Sequence, residues 1–272
     1  MEFMKKLLYE KESYQVRRAI FDVRKQLKSG WSEEVYHQAL KRSLEVRGIP
    51  FVSKERQPFY HRQVEVHIFE PDLVVWDKIV LELKYAPYAE EFSGGNFAQI
   101  IHYLKFLEKK LGLLVNFGPT RAYIKRVLWE ESPLQLEENY EAFRDHMPET
   151  DRTELRRVRQ AILAIAQQYG LGYPESMYRK IIAIELEYMD MKCGPEILLE
   201  ARWKSEALCL HRVVDCLHVA DSYLIIVRSL LKQPPTFEFA RMKTYLAALG
   251  LSYGYVVNFG HKKLQIFAVK AG

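Results

Sequence analysis

The stretch Gly30-Trp31-Ser32-Glu33-Glu34-Val35-Tyr36 returns later in the chain as Gly172-Tyr173-Pro174-Glu175-Ser176-Met177-Tyr178, in the form G-x-x-E-x-x-Y. At the same offset, Val16, Arg17, Ala19, Ile20 and Gln26 are matched by Val158, Arg159, Ala161, Ile162 and Gln168 without a gap. Further on, Tyr103-Leu104 and Val115-Asn116-Phe117-Gly118 come back as Tyr245-Leu246 and Val257-Asn258-Phe259-Gly260. Motifs and spacings that recur together mark a tandem duplication, and a duplicated chain must fold as two like halves. The halves are expected at residues 1–129 and 152–272. Residues 130–151, with Pro133, Pro148 and a charge of about −7, read as an acidic linker holding at most a short helix over 136–143.

Within the first half, Val16, Ala19, Ile20, Val23 and Leu27 fall at helical spacing over residues 13–28. A second helix starts after Ser32, a favourable N-cap, and runs to about residue 46. Strands are expected over 51–56, 63–69, 73–76 and 79–83. The Gly94-Gly95 pair reads as a break, followed by a helix over 97–107 and strands over 113–117 and 122–128. The order α-α-β-β-β-β-α-β-β describes an α/β (α+β) core, a central mixed sheet flanked by helices. Tyr36 and Tyr178 read as packing residues.

The chemistry concentrates in residues 71–84, PDLVVWDKIVLELK. Two apolar, β-branched segments meet at Asp77-Lys78, which makes a hairpin. With the turn centred on Asp77, Asp72 faces Glu82 across the ladder, and like charges so placed repel. Glu82 also stands in an apolar run, where an unpaired carboxylate is costly. Lys84, two residues on and on the same face, supplies one compensating charge. A divalent cation would supply the rest, and two carboxylates with carbonyl and water oxygens suit Mg²⁺.

Asp72, Glu82-Leu83-Lys84 and the preceding G-x-x-E-x-x-Y resemble the GxxExxY family of the PD-(D/E)XK nuclease superfamily, and Gln99-x-x-x-Tyr103 resembles the last motif of RecB-like nucleases. The resemblance implies two tandem nuclease-like domains and a Mg²⁺- or Mn²⁺-dependent nuclease acting on nucleic acid, DNA first. By the same resemblance Glu33, Asp72 and Glu82 are metal ligands, Lys84 serves the attacking water, and Gln99 and Tyr103 line the site.

In the second copy the counterparts are expected to be Glu175, Asp215, Ile226, Arg228, Arg241 and Tyr245, with Ile226 opposite Asp215 where the first copy has Glu82. An aliphatic group replaces one carboxylate, and arginine is a poor general base. This half is expected to keep the fold without the chemistry, as the inactive member of an internal pseudo-dimer. The competing reading of the whole chain is a non-catalytic nucleic-acid- or protein-binding module whose nuclease site is a relic.

The net charge of +5 permits a polyanionic partner without demanding one. No uncharged run approaches the ~20 residues of a membrane span, and the first residues lack the apolar core of a signal peptide. A cytoplasmic protein with reduced thiols and no membrane partner is expected. Cys209-x-His211 and Cys216-x-His218 form a zinc-like set, yet neither pair matches a ligand position of the first copy, so they read as strand residues.

Overall fold

The structure is a computed structural model that describes residues 7–88, 91–144, 147–194, 196–204 and 206–272. The chain divides into two compact units. One comprises residues up to Phe59 with His67–Glu131, the other Tyr60–Val66 with Ser132–Gly272.

In the first unit, helices α1 (Glu10–Leu27) and α2 (Glu33–Val46) precede the short strand β1 (Phe51–Ser53). A two-stranded ribbon, β2 (Gln57–His61) and β3 (Val64–Phe69), follows, of which Tyr60–Val66 groups with the second unit. The expected strand over 51–56 is thus cut short: Lys54 takes a positive φ, and a separate strand begins at Gln57. Next come β4 (Leu73–Val75), β5 (Ile79–Lys84), α3 (Gly94–Phe106), β6 (Leu111–Asn116) and β7 (Tyr123–Leu128). The main sheet has the order β1-β4-β5-β6-β7, with β5 and β6 parallel and the other pairs antiparallel. Gly94-Gly95 opens α3 instead of breaking the chain, because Ser93 caps it and forms a capping box with Asn96.

Alternation along β5 sorts its side chains. Ile79, Leu81 and Leu83 join Val16, Ile20, Tyr36 and Leu40 of α1 and α2 in one core, while Val80 joins Ile100, Ile101 and Leu104 of α3 in another. Even-numbered residues of β5 therefore face the α3 side, and Glu82 and Lys84 are among them.

The second unit repeats this order. Helices α4 (Glu149–Tyr169) and α5 (Glu175–Tyr188) are followed by β9 (Cys193–Gly194) and the ribbon β10 (Ile197–Trp203) with β11 (Glu206–Val213). Then come β12 (Cys216–Val219), β13 (Tyr223–Arg228), α6 (Thr236–Leu249), β14 (Tyr253–Phe259) and β15 (Lys263–Lys270). Its sheet gains a strand that the first lacks. Residues Gln135–Asn139, inside the expected linker, form β8 and pair in parallel with β15, giving the order β8-β15-β14-β13-β12-β9. Of the short helix expected over 136–143, Glu141–Phe143 forms a single 3₁₀ turn.

The repeated motifs pack on one another. Tyr36 stacks on Phe117 with centroids 4.7 Å apart, and its hydroxyl donates to Lys28 O at 2.6 Å. Tyr178 stacks on Phe259 at 3.9 Å and donates to Gly170 O at 2.7 Å. The asparagine before each phenylalanine clamps the chain just past the fifth strand. Asn116 Oδ1 accepts from Ala86 N at 2.9 Å, and Asn258 Oδ1 accepts from Leu230 N at 2.7 Å. The G-x-x-E-x-x-Y tyrosine and the V-N-F-G loop are thus one structural device, built twice.

Candidate active site

The hairpin register is Leu73↔Leu81, Val74↔Val80, Val75↔Ile79, and its continuation brings Asp72 opposite Glu82. The turn is centred on Asp77 as expected, with Trp76 and Asp77 at positive φ. Beyond Leu73 the sheet forks. Strand β5 continues beside β6 as far as Lys84↔Asn116, with no further β4 partner on its other flank. Asp72 enters that gap, where its Oδ2 accepts the Leu83 N–H at 2.7 Å. Strand geometry turns the Leu83 carbonyl to the same flank as its N–H.

Glu82 is 3% exposed and its Oε1 accepts from Lys84 Nζ at 2.5 Å. Burial first, then the charge of Asp72, pushes the Glu82 carboxyl up to about 7 against the pull of Lys84. Burial alone would depress the Lys84 ammonium, but Glu82, Glu33 and Asp72 outweigh it and raise its pKa. The neighbourhood is thus short of positive charge.

From α3, on the same face, Gln99 Nε2 donates to the Tyr103 hydroxyl at 3.2 Å, and that hydroxyl donates to Glu70 O at 3.1 Å, next to Pro71-Asp72. Burial, then Glu82, raises the Tyr103 phenol to about 12, so it stays a donor at neutral pH. Glu33 approaches from the other helical layer. Its Oε2 accepts the Tyr85 N–H at 3.1 Å, past the end of β5. Two residues outside the expected set hold Asp72 from behind. His37 Nε2 lies 3.2 Å from Asp72 O and 3.0 Å from Ser53 Oγ. The signal in the sequence was the i, i+4 spacing of Glu33 and His37, which puts both on one face of α2.

Among the described residues, no three His, Cys, Asp or Glu side chains gather as a metal cage. Glu33, the third expected ligand, is held through its Oε2 at the backbone N–H of Tyr85. The remaining pair fits Mg²⁺ or Mn²⁺ nonetheless. Hard divalent ions of this size are held by one or two carboxylates, the rest of the shell coming from water and substrate phosphate.

The equivalent pocket of the second unit is built otherwise. The register there is Cys216↔Ile226, Leu217↔Ile225, so Ile226 lies opposite Cys216 and not Asp215. The turn residues Ala220 and Asp221, both at positive φ, set this register. Cys216 and Ile226 thus stand where Asp72 and Glu82 stand, and both belong to an apolar core with Met242 and Leu246 of α6. Asp215, one residue earlier, still reaches the pocket. Arg228 Nη2 donates to its Oδ2 at 2.6 Å and Arg241 Nη1 at 2.7 Å. Glu238, outside the expected set, accepts from Arg228 Nε at 2.9 Å and from Arg241 Nη2 at 2.7 Å. Glu175 completes the group at 3.4 Å from Arg228. Burial opposes ionisation of Asp215, but the two guanidinium groups lower its pKa on balance. Tyr245 lies beside this group, its ring 5.6 Å from the Arg241 guanidinium. Cys209 sits exposed on β11 and Cys216 buried in β12, in different sheets.

No helix among the described residues is long and apolar enough to cross a membrane. Comparison with curated proteins and with solved structures gives no significant match. A family model described as the PD-(D/E)XK nuclease superfamily matches twice, over residues 10–127 and 152–268. The two matches span the two structural repeats, and the chain belongs to the PD-(D/E)XK nuclease superfamily.

Proposed function

We propose that the first unit hydrolyses phosphodiester bonds of nucleic acid, DNA first, with Mg²⁺ or Mn²⁺, and that the second unit is its non-catalytic partner. The observation that carries this reading is the convergence of Asp72, Glu82 and Lys84 at the fork of one sheet. The G-x-x-E-x-x-Y motif further supports a place in the GxxExxY family. Asp72 and Glu82 would hold the cation, with Asp72 fixed by the Leu83 N–H. The chemistry such a cation supplies when bound is acidification of water and neutralisation of charge at phosphorus. Lys84, kept protonated by its carboxylate neighbours, acts as a donor that orients the attacking water and offsets negative charge on the phosphate. Tyr103 fixes Gln99 on the α3 side of the pocket, and the second N–H of Gln99 is a further donor to phosphate oxygens. Glu33 is a positioning residue for the turn after β5. In the second unit, Arg228 and Arg241 supply positive charge from within the chain, which leaves no role for a metal.

The test is cleavage of supercoiled plasmid with Mg²⁺ or Mn²⁺ by the wild type, Glu82→Gln and Lys84→Ala, with DNA binding measured separately. Metal-dependent nicking by the wild type alone, with binding kept in the variants, is the expected result. A wild type that binds but cuts with neither metal overturns it in favour of the binding module.

A further inference from the structure

The second unit contains a cavity of about 600 Å³ that the hydrolytic reading does not use. Its lining includes Tyr140, Phe143 and Tyr255, and the only charged side chains in it, among the described residues, are Arg144, Arg152, Arg156 and Arg159. Tyr140 stands edge-on to Tyr255 at 6.1 Å, and Phe143 leans on it at 5.5 Å, which makes an aromatic floor. Arg159 is locked in place, donating to both Glu138 oxygens at 2.7 Å and to the Tyr140 hydroxyl at 3.0 Å.

The other three guanidinium groups are poorly matched. Arg152 and Arg156 share one carboxylate, Glu149, at 3.7 and 3.8 Å, and Arg144 lies 3.7 Å from Glu141. All of these ion pairs exceed hydrogen-bond length. Arg152 and Arg156 are four apart on α4, an arrangement in which like charges repel. An anion between them would relieve that repulsion through charge-assisted, fork-shaped hydrogen bonds. The duplicated fold does not require these residues, since α1 carries Glu10 and Tyr14 at the positions of Arg152 and Arg156. The cavity's size is in the range of pockets for small organic ligands.

We infer that this cavity binds a nucleoside phosphate, its base against Phe143 and the tyrosines and its phosphate between Arg152 and Arg156. The nucleoside phosphate is either a free nucleotide or the phosphorylated end of a strand. The inference stands apart from the hydrolytic reading, because every lining residue lies in the second unit.

The experiment is calorimetric titration of the full chain, in EDTA, with dAMP, with ribose 5-phosphate, and with 5′-phosphorylated and 5′-hydroxyl oligothymidylate. Saturable one-to-one binding of dAMP is expected, weakened roughly tenfold or more in Arg152→Ala/Arg156→Ala and unchanged in Glu82→Gln. Phe143→Ala should weaken dAMP while leaving ribose 5-phosphate as it was. Competition between dAMP and only the phosphorylated oligonucleotide assigns the pocket to strand ends. Binding of dAMP without competition from either oligonucleotide assigns it to free nucleotide. Absence of saturable binding by dAMP and by the phosphorylated oligonucleotide, or an arginine double variant that is folded and binds like the wild type, overturns the inference. The exposed arginines can be replaced without opening the core, and an unchanged thermal transition verifies that.

Discussion

Arg228 donates to Asp215 at 2.6 Å in the second unit, in the pocket where the first unit sets Lys84 against Glu82 at 2.5 Å. Two guanidinium groups face three carboxylates in the second unit's pocket, where the first has one ammonium for Glu33, Asp72 and Glu82. Replacing one partner of a buried, hydrogen-bonded charge group strands the others, at about 3–5 kcal/mol. Arg228→Leu should destabilise the second unit by about that much, seen as a lowered midpoint in urea unfolding. Arg228→Lys, which keeps the charge but not the fork, should fall between.

Glu82 carries the opposite expectation. Its folded pKa of about 7 lies above the ordinary 4.5, so the folded state holds the proton more tightly than the unfolded chain. The stability from that proton is complete below about 4.5 and is lost as pH rises through about 7. Glu82→Gln should therefore leave the metal-free protein about 3 kcal/mol more stable than wild type at pH 8, with little difference at pH 4. Thermal unfolding in EDTA across this range measures it. The same substitution should abolish cleavage.

Gly118 tests the architecture of the turn after β5. A Cβ there would run into the backbone of Ala86 and Pro87, so the Asn116–Ala86 clamp must open. Gly118→Ala should destabilise the first unit by about 1–3 kcal/mol and reduce cleavage by displacing Lys84 and Tyr85. A variant with wild-type cleavage and stability would show that the clamp does not position the site.

Lys105, on α3, is 8% exposed, and burial lowers its pKa to about 7 despite the opposing charge of Glu131. The folded state binds this proton less tightly than the unfolded chain. The stabilisation is present above about 10.5 and lost as pH falls through about 7. Lys105→Met should therefore flatten the rise of stability between about pH 7 and 10, measured by thermal unfolding across that range.

Much of this was legible in the chain itself. The duplication and the helix faces followed from periodicity, and the Asp72–Glu82 opposition followed from a hairpin whose two strands are unmistakably apolar. Where the structure departs from expectation, the deciding information is not local. Asp215 reads as the counterpart of Asp72 because it is the acidic residue that opens the second hairpin, but the turn at Ala220-Asp221 decides register, and that turn puts Cys216 in the place. Glu238 gave no sign, since a glutamate in the first turn of a helix is ordinary until a buried arginine faces it. Residues 135–139 looked like linker because their side chains are mostly polar and exposed. They are held by backbone pairing along β15, which composition does not reveal.

That added strand bears on how the two halves can be separated. A clone begun at residue 152, where the duplicated sequence resumes, would strip β8 away and bare the donors and acceptors of Lys263–Phe267 along a full flank. Raw sheet margins of this kind seek other chains. The cut belongs upstream of Gln135, or the product will stick to itself for reasons unrelated to its chemistry.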